Sequence, residues 1–102
     1  MTKPLNSENY KAILRLLREM REELEVSQIV LSERMDVTQT FISKCERGDR
    51  RIDVLEFLTW LDALGVPAEA FISRLNRVVQ IGKGNPELRQ RRSVHKNRNT
   101  RS

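Results

Sequence analysis

Four polar side chains between residues 39 and 44 are spaced so that one helix would present them together. They carry an amide, two hydroxyls and an ammonium group, on Gln39, Thr40, Ser43 and Lys44. Residues three or four apart share a helix face, and the apolar side falls to Phe41, Ile42 and Cys45. Amides, hydroxyls and ammonium groups hydrogen-bond base edges and phosphate oxygens. The pattern predicts a helix with one side for the core and one for nucleic acid.

The residues around this helix predict two short helices joined by a tight turn. Thr38 can accept a backbone N–H of the first turn and so cap a helix over 39–47, and Gly48 can adopt the left-handed conformation that ends it. Upstream, Ser27 can cap a helix over 28–35, and Asp36 stands at the turn. This arrangement is typical of a helix-turn-helix, whose second helix enters the major groove of DNA.

Three more helices complete the predicted all-α fold. Apolar residues at helical spacing predict helices over 8–24, 54–64 and 68–80, with Ser7 and Asp53 capping the first two. We expect Leu24 on the inward face of the first helix and Val54 and Leu58 on that of the fourth. The core is also expected to include Cys45, Phe71, Ile72 and Leu75, and Trp60 belongs either to the core or to a partial dimer contact.

Charge divides the chain into a near-neutral domain and a basic tail. Residues 1–82 carry 12 Lys and Arg against 13 Asp and Glu, whereas residues 83–102 carry 7 against 1. The tail is also poor in apolar residues, so it cannot bury enough surface to fold alone. We expect a domain over 8–81 and a flexible basic tail over 82–102. The tail either contacts DNA phosphates without reading sequence or is only solvated.

Composition excludes several classes of function. The single cysteine excludes an internal disulfide and a cysteine-based zinc site, and it suits a reducing cytosol. No apolar run approaches membrane-spanning length, and the N-terminus is no signal peptide. No metal-ligand spacing, phosphate-binding glycine loop or catalytic constellation indicates an enzyme. We expect a cytoplasmic, nucleoid-associated, non-enzymatic protein with no cofactor, no metal and no membrane contact.

Residues from about 10 to 72 resemble the Cro/phage-repressor family, the XRE-type helix-turn-helix proteins. The matching segments are LREMREELEVSQ, SERM-D-VTQTFISKCERGDRR and VLEFLTWLDALGVPAEAF. Two positions depart from the family pattern. Asp36 stands where Gly is usual, and Ser32 where a small residue, most often Ala, is usual. The resemblance implies a five-helix lambda-repressor-like DNA-binding domain with a recognition helix over 39–47.

The residues and the resemblance together assign roles at a DNA interface. Base contacts are predicted for Gln39, Thr40, Ser43 and Lys44, with the Gln39 amide pairing bidentately with adenine. Phosphate contacts are predicted for Gln28, Thr38, Arg47, Arg50 and Arg51. For the three arginines, a solvated and charge-rich loop is the competing interpretation. The resemblance implies an ion pair between Arg21 and Glu46 that joins the first helix to the recognition helix.

These features predict a sequence-specific regulator of transcription that binds a double-stranded DNA operator. A homodimeric repressor of the kind found on mobile elements is the leading interpretation, with Val78, Val79 and Ile81 either at a dimer contact or packed on the first helix. Two alternatives stay open. One is an antitoxin that also represses its own operon and binds a toxin. The other is a cofactor that bridges nucleic acid and another regulatory protein.

Overall fold

The computed structural model describes residues 7–79, to which the structural statements below refer. Five α-helices follow one another along this part of the chain: α1 Glu8–Glu23, α2 Gln28–Met35, α3 Gln39–Arg47, α4 Val54–Leu64 and α5 Ala68–Val78. The predicted all-α, five-helix fold is confirmed. The predicted end of the domain at residue 81 and the basic tail over 82–102 lie outside the described residues.

Short polar side chains begin the first four helices, as the sequence predicted. Ser7, Ser27, Thr38 and Asp53 each accept the backbone N–H of the residue three positions ahead. A cap of this kind stabilises a helix by about 1 kcal/mol. At the far ends, Gly48 closes α3 with φ 84° and Gly65 closes α4 with φ 74°, both in the left-handed region. Local sequence therefore sets most helix boundaries.

The turn between α2 and α3 tolerates the two departures from the family pattern. Asp36 takes the left-handed conformation, with φ 59° and ψ 45°, and its N–H bonds back to α2. Asp adopts this conformation more readily than most residues other than Gly. Ser32 is buried, but its hydroxyl donates to the carbonyl of Ile29 over 2.6 Å. Neither substitution leaves the turn strained or unsatisfied, so α2 and α3 keep their close approach.

One hydrophobic core lies between the five helices. Its largest fully buried side chains include Leu17, Leu31, Ile42, Trp60 and Phe71. Cys45 is also fully buried, which confirms its prediction as a core residue, and burial raises the pKa of its thiol. The complete burial of Trp60 places it in the core and removes it as a partial dimer contact. The core thus fixes one side of α3 and leaves its other side to solvent.

Two helix ends and four side chains differ from the sequence-based expectation. α1 ends at Glu23 and α5 at Val78, because Leu24 leaves helical geometry and the chain becomes extended at Val79. Four apolar residues expected inside are partly exposed: Leu24 by 48%, Val54 by 72%, Leu58 by 45% and Ile72 by 44%. Periodicity shows which residues share a face, but only tertiary packing decides how much of a wide apolar face is covered.

The described residues show neither a membrane segment nor a metal cluster. Within 7–79, no helix is long and apolar enough to cross a membrane. In the same stretch, no group of three or more His, Cys, Asp or Glu side chains is arranged to hold a metal ion.

Candidate nucleic-acid interface

The outward side of α3 carries the side chains predicted to contact bases. Gln39, Thr40 and Lys44 are exposed, while the inward side is held by fully buried Ile42. Ser43 is only half-exposed, and its hydroxyl accepts a hydrogen bond from Arg47 over 2.6 Å. With nine residues, α3 is about 13 Å long, close to the width of a major groove, about 12 Å. The helix has the length and the polarity to lie in that groove.

A chain of hydrogen bonds runs from the core to the first residue of α3. Arg21 donates through Nε and Nη2 to the two carboxylate oxygens of Glu46, over 2.7 and 3.0 Å. Glu46 Oε1 also accepts from Gln28 Nε2 over 2.9 Å. Gln28 Oε1 in turn accepts from Gln39 Nε2 over 3.1 Å. These four residues, hereafter the relay, connect α1, α2 and both ends of α3.

The relay determines which way the two amides point. The carboxylate of Glu46 can only accept hydrogen bonds, so Gln28 turns its NH₂ group toward Glu46 and its carbonyl oxygen toward Gln39. Gln39 therefore turns its NH₂ group toward Gln28. One N–H and the carbonyl oxygen of Gln39 remain, which form the donor and acceptor that adenine N7 and N6 require. The exposed amide at the start of α3 is thus held in one orientation.

The Arg21–Glu46 ion pair, with which the relay begins, is buried. The Arg21 and Glu46 side chains are 8% and 4% exposed, and Arg21 Nη1 also donates to the carbonyl of Val26 over 2.9 Å. The structure therefore brings together the two residues for which the resemblance implied an ion pair. Because desolvation offsets much of the Coulomb attraction in such a site, the pair orients α3 against α1 more than it stabilises the fold.

Three residues predicted to contact phosphate lie at helix ends beside the exposed side of α3. Gln28 begins α2 and belongs to the relay. Thr38 is exposed, and its hydroxyl accepts the N–H of Phe41 over 3.0 Å. Arg47 ends α3 and donates to Asp49 over 3.0 Å, with the two side chains 57% and 58% exposed. An exposed pair of this kind is weak, so Arg47 can leave the Asp49 carboxylate and bind a phosphate instead.

The remaining two predicted phosphate contacts lie in the loop between α3 and α4. Arg50 donates to Glu56 over 2.6 Å and its guanidinium lies 4.7 Å from the ring centroid of Phe41. The hydrogen bond from Arg50 is the main cause that lowers the pKa of Glu56. The guanidinium of Arg51 lies 4.4 Å from the ring centroid of Tyr10. Both arginines are exposed, and each guanidinium lies over an aromatic ring.

Two features of the site were missed by the sequence-based prediction. The first is the part of the relay that runs from Glu46 through Gln28 to Gln39, because these partners are separated by 18 and 11 residues and no local pattern connects them. The second is a basic group on α1, formed by Lys11, Arg15 and Arg18, which lines a recess together with Arg47. The spacing of these three residues along α1 was a usable signal, since it places them on neighbouring turns of one helix side.

The fold and the exposed strip of α3 together define a helix-turn-helix protein. The family profile described as helix-turn-helix matches residues 17–71. The structure is similar to that of an XRE-family like protein from Pseudomonas syringae pv. tomato str. DC3000. The two are 35% identical with a TM-score of 0.65, over 70% of this chain and 87% of that one. The chain belongs to the XRE-type helix-turn-helix family of DNA-binding transcription regulators.

A second solved structure shares the fold at lower identity. It is the wild-type restriction-modification controller protein C.Esp1396I, which is 21% identical with a TM-score of 0.67, over 71% of this chain and 94% of that one. At this identity the likeness concerns the fold alone. Comparison with curated protein sequences gave no match.

Proposed function

We propose that the protein recognises a specific double-stranded DNA operator by reading the major groove with α3. The observation that carries the proposal is the exposed side of α3, on which Gln39 is held in one amide orientation by Gln28. A bidentate amide–adenine pair favours its base over a wrong one by about 1–3 kcal/mol. A protein bound in this way at a promoter excludes polymerase, which supports a repressor rather than an activator.

Each exposed residue of α3 has a role that its chemistry supports. Gln39 reads adenine through the donor and acceptor that the relay leaves available. Thr40 can offer its methyl group to thymine and its hydroxyl to either partner of a base pair. Lys44, one turn further along, reaches guanine O6 and N7 or a phosphate. Ser43 contributes least, because it is only half-exposed.

Phosphate contacts around α3 set the register of this reading. Gln28 and Thr38 lie at the starts of α2 and α3, where backbone N–H groups and the helix dipole favour an anion. Arg47, Arg50 and Arg51 supply positive charge at the other end of α3. Contacts of this type position a protein on the duplex and carry no sequence information of their own.

We also infer that the regulator acts as a homodimer through a patch on α4 and α5. The α4 patch consists of Val54, Leu55, Leu58 and Ile72, which are exposed by 72%, 75%, 45% and 44%. Beside it lies a recess of about 240 Å³ lined almost entirely by apolar side chains. Contiguous exposed apolar surface marks a protein contact. A second copy on this patch would bring two α3 helices to one operator, with half-sites about 34 Å apart.

Selection of binding sites from a random duplex pool, followed by footprinting, tests the proposed function. We expect the full chain to enrich one two-fold symmetric site and to protect two half-sites one helical turn apart. Uniform protection without a preferred sequence would contradict specific reading and would favour the bridging role. A regulator of this kind acts on nucleoid DNA in the cytoplasm.

Sedimentation of the Leu55→Glu variant tests the dimer. We expect this variant to sediment as a monomer at concentrations where the wild type is a dimer, because the charge lies in the α4 patch. The Val78→Glu variant puts the same charge on the 67%-exposed Val78 at the end of α5, the other candidate dimer contact, and should leave the dimer intact. If Val78→Glu dissociates the dimer and Leu55→Glu does not, the subunits meet through the end of α5 instead.

A further inference from the structure

A basic recess beside α3 extends the interface onto α1, and we infer that it binds backbone phosphates of the same duplex. The recess has a volume of about 230 Å³ and is lined by Lys11, Leu14, Arg15, Arg18, Glu46 and Arg47. This inference rests on the proposed function and adds α1 to the surfaces that contact DNA. The chemistry it recognises is the regularly spaced phosphodiester anion, not a base edge.

Four cations and one carboxylate line the recess, and the carboxylate is already neutralised. Glu46 accepts two hydrogen bonds from Arg21 and one from Gln28. Its side chain is 4% exposed, so it presents little surface to an incoming anion. The accessible charge of the recess is therefore positive.

The cations on α1 are available to a new partner. Arg15 makes no hydrogen bond or ion pair with any residue of the described part of the chain, 7–79. Lys11 lies 3.8 Å from Glu8 and Arg18 lies 3.1 Å from Glu22, and the two carboxylates are 89% and 55% exposed. Exposed pairs of this kind contribute little and are screened by salt. A phosphate can displace both carboxylates at small cost.

The position of the recess matches the wall of the groove that α3 enters. If Gln39, at the start of α3, reaches the base edges, a helix about 13 Å long ends at the border of a groove about 12 Å wide. That border is the phosphate backbone, and Arg47 and the recess lie at this end of α3. Lys11 to Arg18 span about 10 Å along α1. The row is therefore long enough to face more than one phosphate of a strand.

Salt titration of DNA binding by the full-length Arg15→Gln/Arg18→Gln variant tests the inference. The probes are the duplex enriched from the random pool and a duplex of scrambled sequence. Each lost phosphate contact should reduce the slope of log K against log salt by about 0.9 and the affinity in about 0.1 M salt by roughly eightfold. Both duplexes should lose affinity alike, because phosphates do not differ between sequences. Arg15→Lys/Arg18→Lys should retain the wild-type slope.

The matched control for the single variant Arg15→Gln is Arg77→Gln, which removes one charge from the last turn of α5, outside the recess. Equal slopes for Arg77→Gln and Arg15→Gln would overturn the inference. A loss confined to the enriched duplex would also overturn it, since the arginines would then act on base reading. If the double variant does not fold, the single variant Arg15→Gln tests the inference, because Arg15 makes no hydrogen bond or ion pair within 7–79. A wild type without a preferred site would reject the proposed function while leaving the slope comparison intact.

Discussion

α3 and α4 both turn one side to solvent, but the two exposed sides differ in chemistry. α3 presents Gln39, Thr40 and Lys44, whereas α4 presents Val54, Leu55 and Leu58. Hydrated DNA grooves offer hydrogen-bond donors and acceptors, and another protein surface offers apolar area. We therefore propose that the two helices serve different partners, with α3 recognising DNA and α4 assembling the dimer.

The two sides also differ in how they are supported. The reading residue of α3 is fixed by a buried relay that reaches α1 through Glu46 and Arg21. The α4 patch has only the core beneath it, with Trp60 buried on the opposite side of the helix. The role proposed for α3 therefore depends on the orientation of the Gln39 amide. The role proposed for α4 depends on the exposed apolar area of the α4 patch.

The largest expected effect comes from removing the buried end of the relay with Glu46→Ala. Arg21 would then keep its charge in a site where it is 8% exposed, with only the carbonyl of Val26 as acceptor. Breaking one side of a buried ion pair costs about 3–5 kcal/mol of unfolding free energy. Urea denaturation, monitored by circular dichroism, measures this loss of unfolding free energy.

An exposed ion pair provides the control for that loss. Glu23→Ala removes the bidentate partner of Arg74, whose hydrogen bonds are 2.9 and 2.7 Å long, but both side chains are partly exposed. This variant should unfold close to the wild type. If Glu46→Ala and the wild type had the same free energy of unfolding, the Arg21–Glu46 pair at the start of the relay would not be buried.

A smaller effect is expected from Gln39→Ala, which separates recognition from assembly. Losing the bidentate amide should weaken binding to the enriched duplex by about 1–3 kcal/mol and barely affect a scrambled duplex. Gln28→Ala should cost less, since it frees the Gln39 amide without deleting it. Fluorescence anisotropy with the two duplexes measures both variants.

The counterpart on the other helix is Leu55→Ala. It should weaken dimer formation and leave the preferred bases unchanged when sites are selected again from the random pool. A changed base preference in this variant, or an unchanged one in Gln39→Ala, would contradict the division of labour between α3 and α4.

Helix boundaries were predictable because they are set by neighbouring residues. α2, α3 and α4 begin and end where the sequence predicted, since Ser27, Thr38 and Asp53 cap them through bonds that span three residues. The choice of exposed residues on α3 was predictable for a related reason. Gln39, Thr40 and Lys44 share one side of the helix, and its apolar residues lie on the other, so the direction of the core is unambiguous.

Tertiary partners were not predictable from such patterns. α4 is apolar around most of its circumference, so periodicity alone could not show that Val54 and Leu58 face solvent while Trp60 faces the core. The relay depends on Gln28 and Glu46 meeting across α2 and α3. The sequence placed Gln28 only at a helix start, and the structure adds that its amide orients Gln39.

The smallest expected effect concerns the pair that joins the loop after α3 to α4. Arg50 donates to Glu56, and this bond, followed by the backbone N–H of Asp53, lowers the pKa of Glu56 below its usual 4.5. A lowered folded-state pKa means that the stabilisation is fully present above pH 4.5 and is lost as pH falls through the lowered value. The effect is small because both side chains are partly exposed.

The Glu56→Gln variant isolates this contribution. Its amide oxygen can still accept the N–H of Asp53 and preserve the cap of α4, but it cannot pair as an ion with Arg50 or titrate. The wild type should be slightly more stable at neutral pH, and the two stabilities should converge as pH falls below 4.5. Urea midpoints at a series of pH values measure the difference. A difference that stays constant with pH would mean that Glu56 stabilises α4 only through its cap, leaving the α3 loop and α4 electrostatically independent.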